Sequence, residues 1–204
     1  TIMTATVDVK PIGQRGTDIG FSGINTWFHD LIGVHMSLYT LTDWLGIVPF
    51  IVCIAFAFIG LWQLVKRKSL FDVDPDLLIL GGYYIIVIIV FFTFEIFPLN
   101  YRPILIDGAL EASYPSSTTL LVLSVMPTLI EQARRRLTDV FAKRIIGIFT
   151  IIYTAFMVFA RLISGVHWIS DIIGAMLFAM GLFFVYFALV KFNLRKNTAK
   201  KHIL

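Results

Sequence analysis

The chain has 204 residues, a length that suits one domain, and 58% of them are hydrophobic against 15% charged. A water-soluble domain of this size could not hide that much apolar surface, to which Phe alone contributes 19 residues. The formal net charge of +4 sits in short basic clusters beside apolar runs, which excludes a nucleic-acid-binding face.

Residues 1–43 read as an N-terminal segment outside the membrane. Residues 1–6 read as the tail of a span lying upstream, and no signal-peptide pattern follows them. Ile24, Trp27, Phe28 and Leu31 recur at helical spacing among Asp18, His29, Asp30 and His35. That pattern predicts an amphipathic helix lying in the membrane interface within residues 17–42. His29 and His35 are six apart and share no helix face, so they read as polar interfacial residues and not as ligands.

A bilayer core about 30 Å thick requires about 20 apolar residues per helical span. Five spans fall within residues 44–190, at 44–65, 77–97, 117–130, 145–163 and 168–190. The first ends at Lys66-Arg67-Lys68. The second opens after Asp72, Asp74 and Asp76, with Pro75 suited to a first helical turn. The third is short and runs into Arg134-Arg135-Arg136. Lys143-Arg144 precede the fourth, and a basic tail at 191–204 follows the fifth. Cys53 is the single cysteine, lies inside the first span and reads as a small core residue; alone it forms no intrachain disulfide and no metal site. Trp27, Trp44 and Trp168 suit interfacial belts.

Orientation follows from the basic flanks. Lys66, Arg67, Lys68, Arg134, Arg135, Arg136, Lys143, Arg144, Lys191, Arg195, Lys196, Lys200 and Lys201 fall on one side, 13 of the 17 Lys and Arg. Lys10, Arg15, Arg102 and Arg161 fall on the other. The N-terminus is therefore expected outside and the C-terminus inside.

Ionisable groups at membrane depth are costly and by default mark function. Arg161, His167 and Asp171 stand between two uncharged runs, residues 145–160 and residues 172–190, on the expected outer side. If a helix begins near His167, Asp171 lies at i+4 on the same face and can hold the imidazole in one tautomer. Two further segments share that side: Asn100-Tyr101-Arg102-Pro103, and Tyr114-Pro115-Ser116-Ser117-Thr118-Thr119 at the start of the third span. Arg102 and Arg161 can each offer a fork of donors to phosphate. Backbone N–H groups near Ser116, Ser117 and Thr118 would open a helix, an anion site, and their hydroxyls can add donors or cap it. Blander readings stand beside these. The Arg161, His167, Asp171 set also fits a polar network tying helix ends, Arg102 a snorkelling interfacial arginine, and the hydroxyl run an ordinary N-cap.

With Arg102-Pro103, Pro115-Ser116 and the Arg161, His167, Asp171 spacing in hand, the chain resembles the type 2 phosphatidic acid phosphatase family. That family is the membrane branch of a superfamily that also holds vanadium haloperoxidases. Its three motifs, K-x6-R-P, P-S-G-H and S-R-x5-H-x3-D, occur here in order but with departures. Glu95 stands at the lysine position, Ser117 and Thr118 at the glycine and histidine of the second motif, and Ala160 at the serine of the third. The resemblance covers most of residues 20–190. It implies an all-α integral membrane protein with a haloperoxidase-like helical core, five spans here against the family's six, in a bacterial plasma membrane with an extracytoplasmic site.

The resemblance further implies hydrolysis of a lipid phosphate or pyrophosphate, with phosphatidic acid, phosphatidylglycerol phosphate and polyprenyl pyrophosphates as candidate substrates. His167 would attack phosphorus and become phosphohistidine while Asp171 orients its ring. Arg102, Arg161, Ser116, Ser117 and Thr118 would bind phosphate, with no cofactor and no metal. Thr118 cannot replace the family's histidine as the acid that protonates a leaving alcohol. Glu95 and Glu111 are the candidate proton donors by their position in sequence. The alternative is a protein of the same fold that binds lipid phosphates without efficient turnover. A small transporter or channel subunit is the weaker third reading, because the polar residues collect at one face.

Overall fold

The structure is a computed structural model that describes residues 1–201, with side chains through Asn193. Arg195, Lys196, Lys200 and Lys201, the greater part of the expected basic tail, therefore have side chains outside the described residues. The chain is helical, with isolated β-bridges and no strand among the described residues. Its helices are α1 (Ile2–Thr6), α2 (Ser22–Ile32), α3 (Met36–Leu45), α4 (Ile47–Arg67), α5 (Pro75–Ile96), α6 (Ser117–Arg136), α7 (Val140–Ile163) and α8 (Ile169–Lys201).

Four stretches are long and apolar enough to cross a bilayer: Met36–Arg67, Pro75–Ile96, Val140–Ile163 and Ile169–Asn193. Their outward faces carry Trp62, Phe58, Ile89, Phe92, Ile151, Ile152 and Phe184, all exposed, the inverse of a soluble surface and the pattern lipid favours.

The expected short third span is α6, which is not among those four. It packs against α4, α5, α7 and α8. Leu120, Leu121, Val122, Val125 and Met126 are buried in that contact. A helix solvated by protein can carry polar groups where most find a partner, and on α6 the Ser124 hydroxyl is the buried one that finds none among the described residues. Tyr84 Oη and Thr128 Oγ1 are 2.7 Å apart, Gln132 Nε2 donates to Tyr186 Oη at 3.2 Å, and Tyr83 donates to the Ser124 carbonyl at 2.9 Å. Buried Thr119, Ser124, Thr128 and Gln132 lower the helix's apolarity without exposing polar atoms to lipid.

Local chemistry sets the helix ends. Asp139 caps α7 by accepting from the N–H groups of Phe141 (3.0 Å) and Ala142 (3.3 Å). Pro75 occupies the first turn of α5, as its missing N–H favours. Asp74, one residue earlier, gathers Gln63 Nε2 (2.8 Å), Arg67 (2.9 Å) and Arg136 (3.1 Å), which joins the ends of α4 and α6 to the start of α5. Arg136 also reaches Asp76 at 2.8 Å.

Burial pushes the Asp74 carboxyl up, but the hydrogen bonds from Gln63, Arg67 and Arg136 outweigh it and bring it down to about 2. An unfolded Asp titrates near 3.9, so Asp74 contributes stability that is present above about pH 4 and lost as pH falls towards 2. Melting temperatures in detergent across that window should fall less steeply for Asp74→Asn than for the parent chain. Identical slopes would contradict this account of the junction.

The loop between α5 and α6 folds back on itself. Bridges pair Tyr101 with Ala112 and Ile106 with Ala109 across a turn in which Asp107 (φ 50°) and Gly108 (φ 75°) are left-handed. Gln14 Nε2 donates to the Pro103 carbonyl at 2.8 Å and Arg15 to that of Gly108 at 3.2 Å, bracing the loop from the N-terminal segment.

The predicted amphipathic helix is α2. Ile24, Trp27 and Leu31 are exposed, while Asn25 is buried on the opposite face. Asn25 Nδ2 donates to Ser170 Oγ at 2.9 Å and its Oδ1 accepts from the Ser170 N–H at 3.1 Å, which docks α2 on the start of α8. At the α2–α3 junction the His35 N–H donates to the Ser164 carbonyl at 2.9 Å. Gly33 and Gly165 meet there, both at positive φ; a Cβ on Gly165 would lie 1.9 Å from the Gly33 carbonyl oxygen, so only glycine fits.

Candidate active site at the mouth of the bundle

The end of the bundle opposite Asp74 brings together the α5–α6 loop, the starts of α6 and α8, the end of α7, and α3. Arg102, Arg161, His167 and Asp171 all lie there, and all are buried.

Asp171 is the anchor. Its Oδ2 accepts from Ser113 Oγ at 2.5 Å and from the Trp168 N–H at 3.1 Å. Its Oδ1 accepts from Asn100 Nδ2 at 3.2 Å and Ser170 Oγ at 3.4 Å. Its carbonyl accepts the Ser116 N–H at 3.1 Å, tying the start of α6 to the start of α8.

The helix expected to begin near His167, with Asp171 on the same face, begins later. Helix α8 starts at Ile169, so His167 sits in the turn before it and the i, i+4 relation does not apply. Ser113 Oγ lies between them, 3.0 Å from His167 Nδ1. The ring is fully buried, and Nε2 has no hydrogen-bond partner. Burial first, then the charges of Arg102 and Arg161, hold the imidazole well below the usual histidine range, against the opposing interaction with the Ser113 backbone. His167 is therefore neutral near pH 7.

Arg161 is fixed from α3 and α6. It donates to the Tyr39 carbonyl (3.3 Å), Thr42 Oγ1 (3.0 Å), Asp43 Oδ1 (3.5 Å) and Thr118 Oγ1 (2.8 Å). Arg102 pairs with Glu111 at 3.1 Å, and its Nε donates to the Ala112 carbonyl at 3.4 Å. Both guanidinium groups face the Tyr39 ring, at 5.5 Å for Arg102 and 4.8 Å for Arg161, which holds two like charges close together. Arg102 Nη1 and Arg161 Nε are buried without partners.

The other expected site residues divide. Thr118 joins the cluster through Arg161. Ser117 has no hydrogen bond to the cluster; it lines clefts on either side, one with Glu95 and Tyr114 and one with Asp43 and Thr118. Ser116 turns its hydroxyl to Thr119 Oγ1 at 3.0 Å and gives its N–H to the Asp171 carbonyl. Glu95 is exposed near the end of α5. Glu111 is half-exposed and engaged with Arg102. Asn100 stood out in the sequence only as the start of the Arg102 segment, and Ser113, Tyr39, Thr42 and Asp43 carry no motif signal; they reach the cluster through the loop and α3.

A neutral imidazole with a bare Nε2, beside two guanidinium groups with donors to spare, can attack an electrophile that carries negative charge. The PAP2 superfamily pattern matches residues 97–195, which hold every residue of the cluster except those of α3. The crystal structure of a transmembrane PAP2-type phosphatidylglycerolphosphate phosphatase from Bacillus subtilis superposes with a TM-score of 0.51 at 19% identity, over 81% of this chain and 77% of that one. No curated protein matches the chain in sequence. Residues 97–195 thus match the PAP2 superfamily pattern, and the chain that carries them is an all-helical integral membrane protein with the fold of that transmembrane PAP2-type phosphatase.

Proposed function

We propose that this protein is a membrane lipid phosphatase that uses His167 as its nucleophile and favours a diphosphate over a phosphate monoester. The observation that carries the reading is the buried, unpartnered Nε2 of a neutral His167 in the field of Arg102 and Arg161. The phosphoryl group would rest between the two guanidinium forks, with its lipid tail in the bilayer. The distribution of Lys and Arg supports a site facing away from the cytoplasm, opposite the Arg67 and Arg136 junction.

The preference follows from the leaving group. Thr118 stands where the family places a histidine, and its hydroxyl is engaged by Arg161. A hydroxyl cannot protonate a departing alkoxide near neutral pH, and general-acid help is worth about 10²–10⁴-fold. A diphosphate expels a phosphate, which leaves without that help. In step one the Nε2 lone pair forms the P–N bond, and the P–O bond breaks with its electrons on the departing lipid phosphate. In step two water attacks phosphorus, the P–N electrons return to Nε2, and dihydrogen phosphate departs with both water protons.

The same observation at Thr118 favours a second reading, a protein that binds lipid phosphates without turning them over. One assay separates them: phosphate release in detergent from a polyprenyl diphosphate, phosphatidic acid and phosphatidylglycerol phosphate. The diphosphate should lead in kcat/KM by about 100-fold or more. Equal rates across the panel would contradict the leaving-group argument, and tight binding of all three with no release would select the binding protein.

A further inference from the structure

We infer that Ser113 is a positioning residue that sets the tautomer of His167 and transmits the influence of Asp171 to it. This rests on His167 being the group that reacts, but the central prediction concerns where a proton sits and is read without turnover.

Ser113 is buried, and its hydroxyl lies between an imidazole nitrogen at 3.0 Å and a carboxylate oxygen at 2.5 Å. A hydroxyl has one proton to give. The carboxylate of Asp171 can only accept, so Ser113 gives its proton there. Its oxygen is then left to accept from His167, which requires the proton on Nδ1. The lone pair is forced onto Nε2, the ring atom without a partner.

The hydroxyl is itself held in place. The Ser113 N–H donates to the Asn100 carbonyl at 2.8 Å, and the Asn100 side chain donates to the same Asp171. The folded-back loop thus delivers Ser113 and steadies the carboxylate that orients it. When Nε2 bonds phosphorus, positive charge develops on the ring. The Nδ1 proton stays on nitrogen, the Ser113 oxygen bears a larger share of it, and Asp171 stabilises the charge one hydroxyl away. No proton crosses to Asp171.

The arrangement makes an unusual prediction for Asp171→Asn. An amide can donate to Ser113, which would turn the hydroxyl towards His167 and move the ring proton to Nε2, blocking the lone pair. That reversal depends on Ser113 and should vanish in the Ser113→Ala background.

Nitrogen-15 NMR of histidine-labelled full chain in detergent tests this, with His167 signals identified by their loss in His167→Gln. The parent chain should show a single neutral form protonated at Nδ1. Ser113→Ala should show both tautomers, with kcat reduced about 10–100-fold and KM little changed. Ser113→Thr should restore both the single form and the rate. A parent spectrum protonated at Nε2 would overturn the inference, and it needs no variant to be stable. So would Ser113→Ala with the single Nδ1 form and full kcat, or an Asp171→Asn reversal that persists without Ser113. If the chain released no phosphate at all, the spectra would still decide where the proton lies.

Discussion

His167→Ala is expected to lower phosphate release by about 10⁴-fold or more, into the assay blank, while leaving the helical bundle folded. The ring's Nε2 has no partner to lose, and only the Nδ1 contact with Ser113 is structural. The loss should fall on kcat, because the two arginines that hold the phosphate remain. The pH dependence has a definite sign. With the imidazole held below its usual range, the neutral nucleophile persists as pH drops through about 6.5 and is lost only further into acid. A rate that is unchanged by the substitution would remove His167 from the chemistry.

Arg161→Lys should be nearly as damaging, for a different reason. The guanidinium meets Tyr39, Thr42, Asp43 and Thr118 at once, and its exposure is 1%. An ammonium keeps the charge but cannot span those partners or present a planar fork to phosphate. Loss of one preorganised donor to developing charge costs about 10²–10³-fold in rate. Buried acceptors left unpaired cost about 1–3 kcal/mol each, so a lower melting temperature should accompany the kinetic defect. Kinetics and melting measured on the same preparation should both move. A variant that melts lower yet turns over normally would show that Arg161 merely ties α7 to α3 and α6, and one unchanged in both would contradict both roles.

The features legible in the sequence share one physical cause. Lipid demands unbroken apolar helices, so α4, α5, α7 and α8 stand out as long uncharged runs bounded by Lys66, Asp76, Arg144 and Lys191 respectively. Helix α6 is solvated by those helices and not by lipid, so Thr128, Gln132 and Glu131 dilute its signal. At the site, Arg102, Arg161, His167 and Asp171 were visible because charged groups beside apolar spans are scarce. Ser113 was not, since a serine in a polar loop has neither period nor charge to mark it. Its role comes from a fold-back that places it 54 residues from His167 in sequence and 3.0 Å away in space. Tyr39 and Thr42 lie still further from Arg161 along the chain. The shared helix face was conditional on a helix beginning near His167; α8 begins two residues later, and Ser113 Oγ lies between the ring and Asp171.

The account turns on a covalent bond between phosphorus and His167. Mixing the protein with a polyprenyl diphosphate, quenching within milliseconds in base and digesting for mass spectrometry would capture it directly. A phosphoryl group on the peptide containing His167, formed and lost at rates that sustain turnover, is the expected result. Steady phosphate release with no label on that peptide at any time point, or label on a peptide lacking His167, would contradict it.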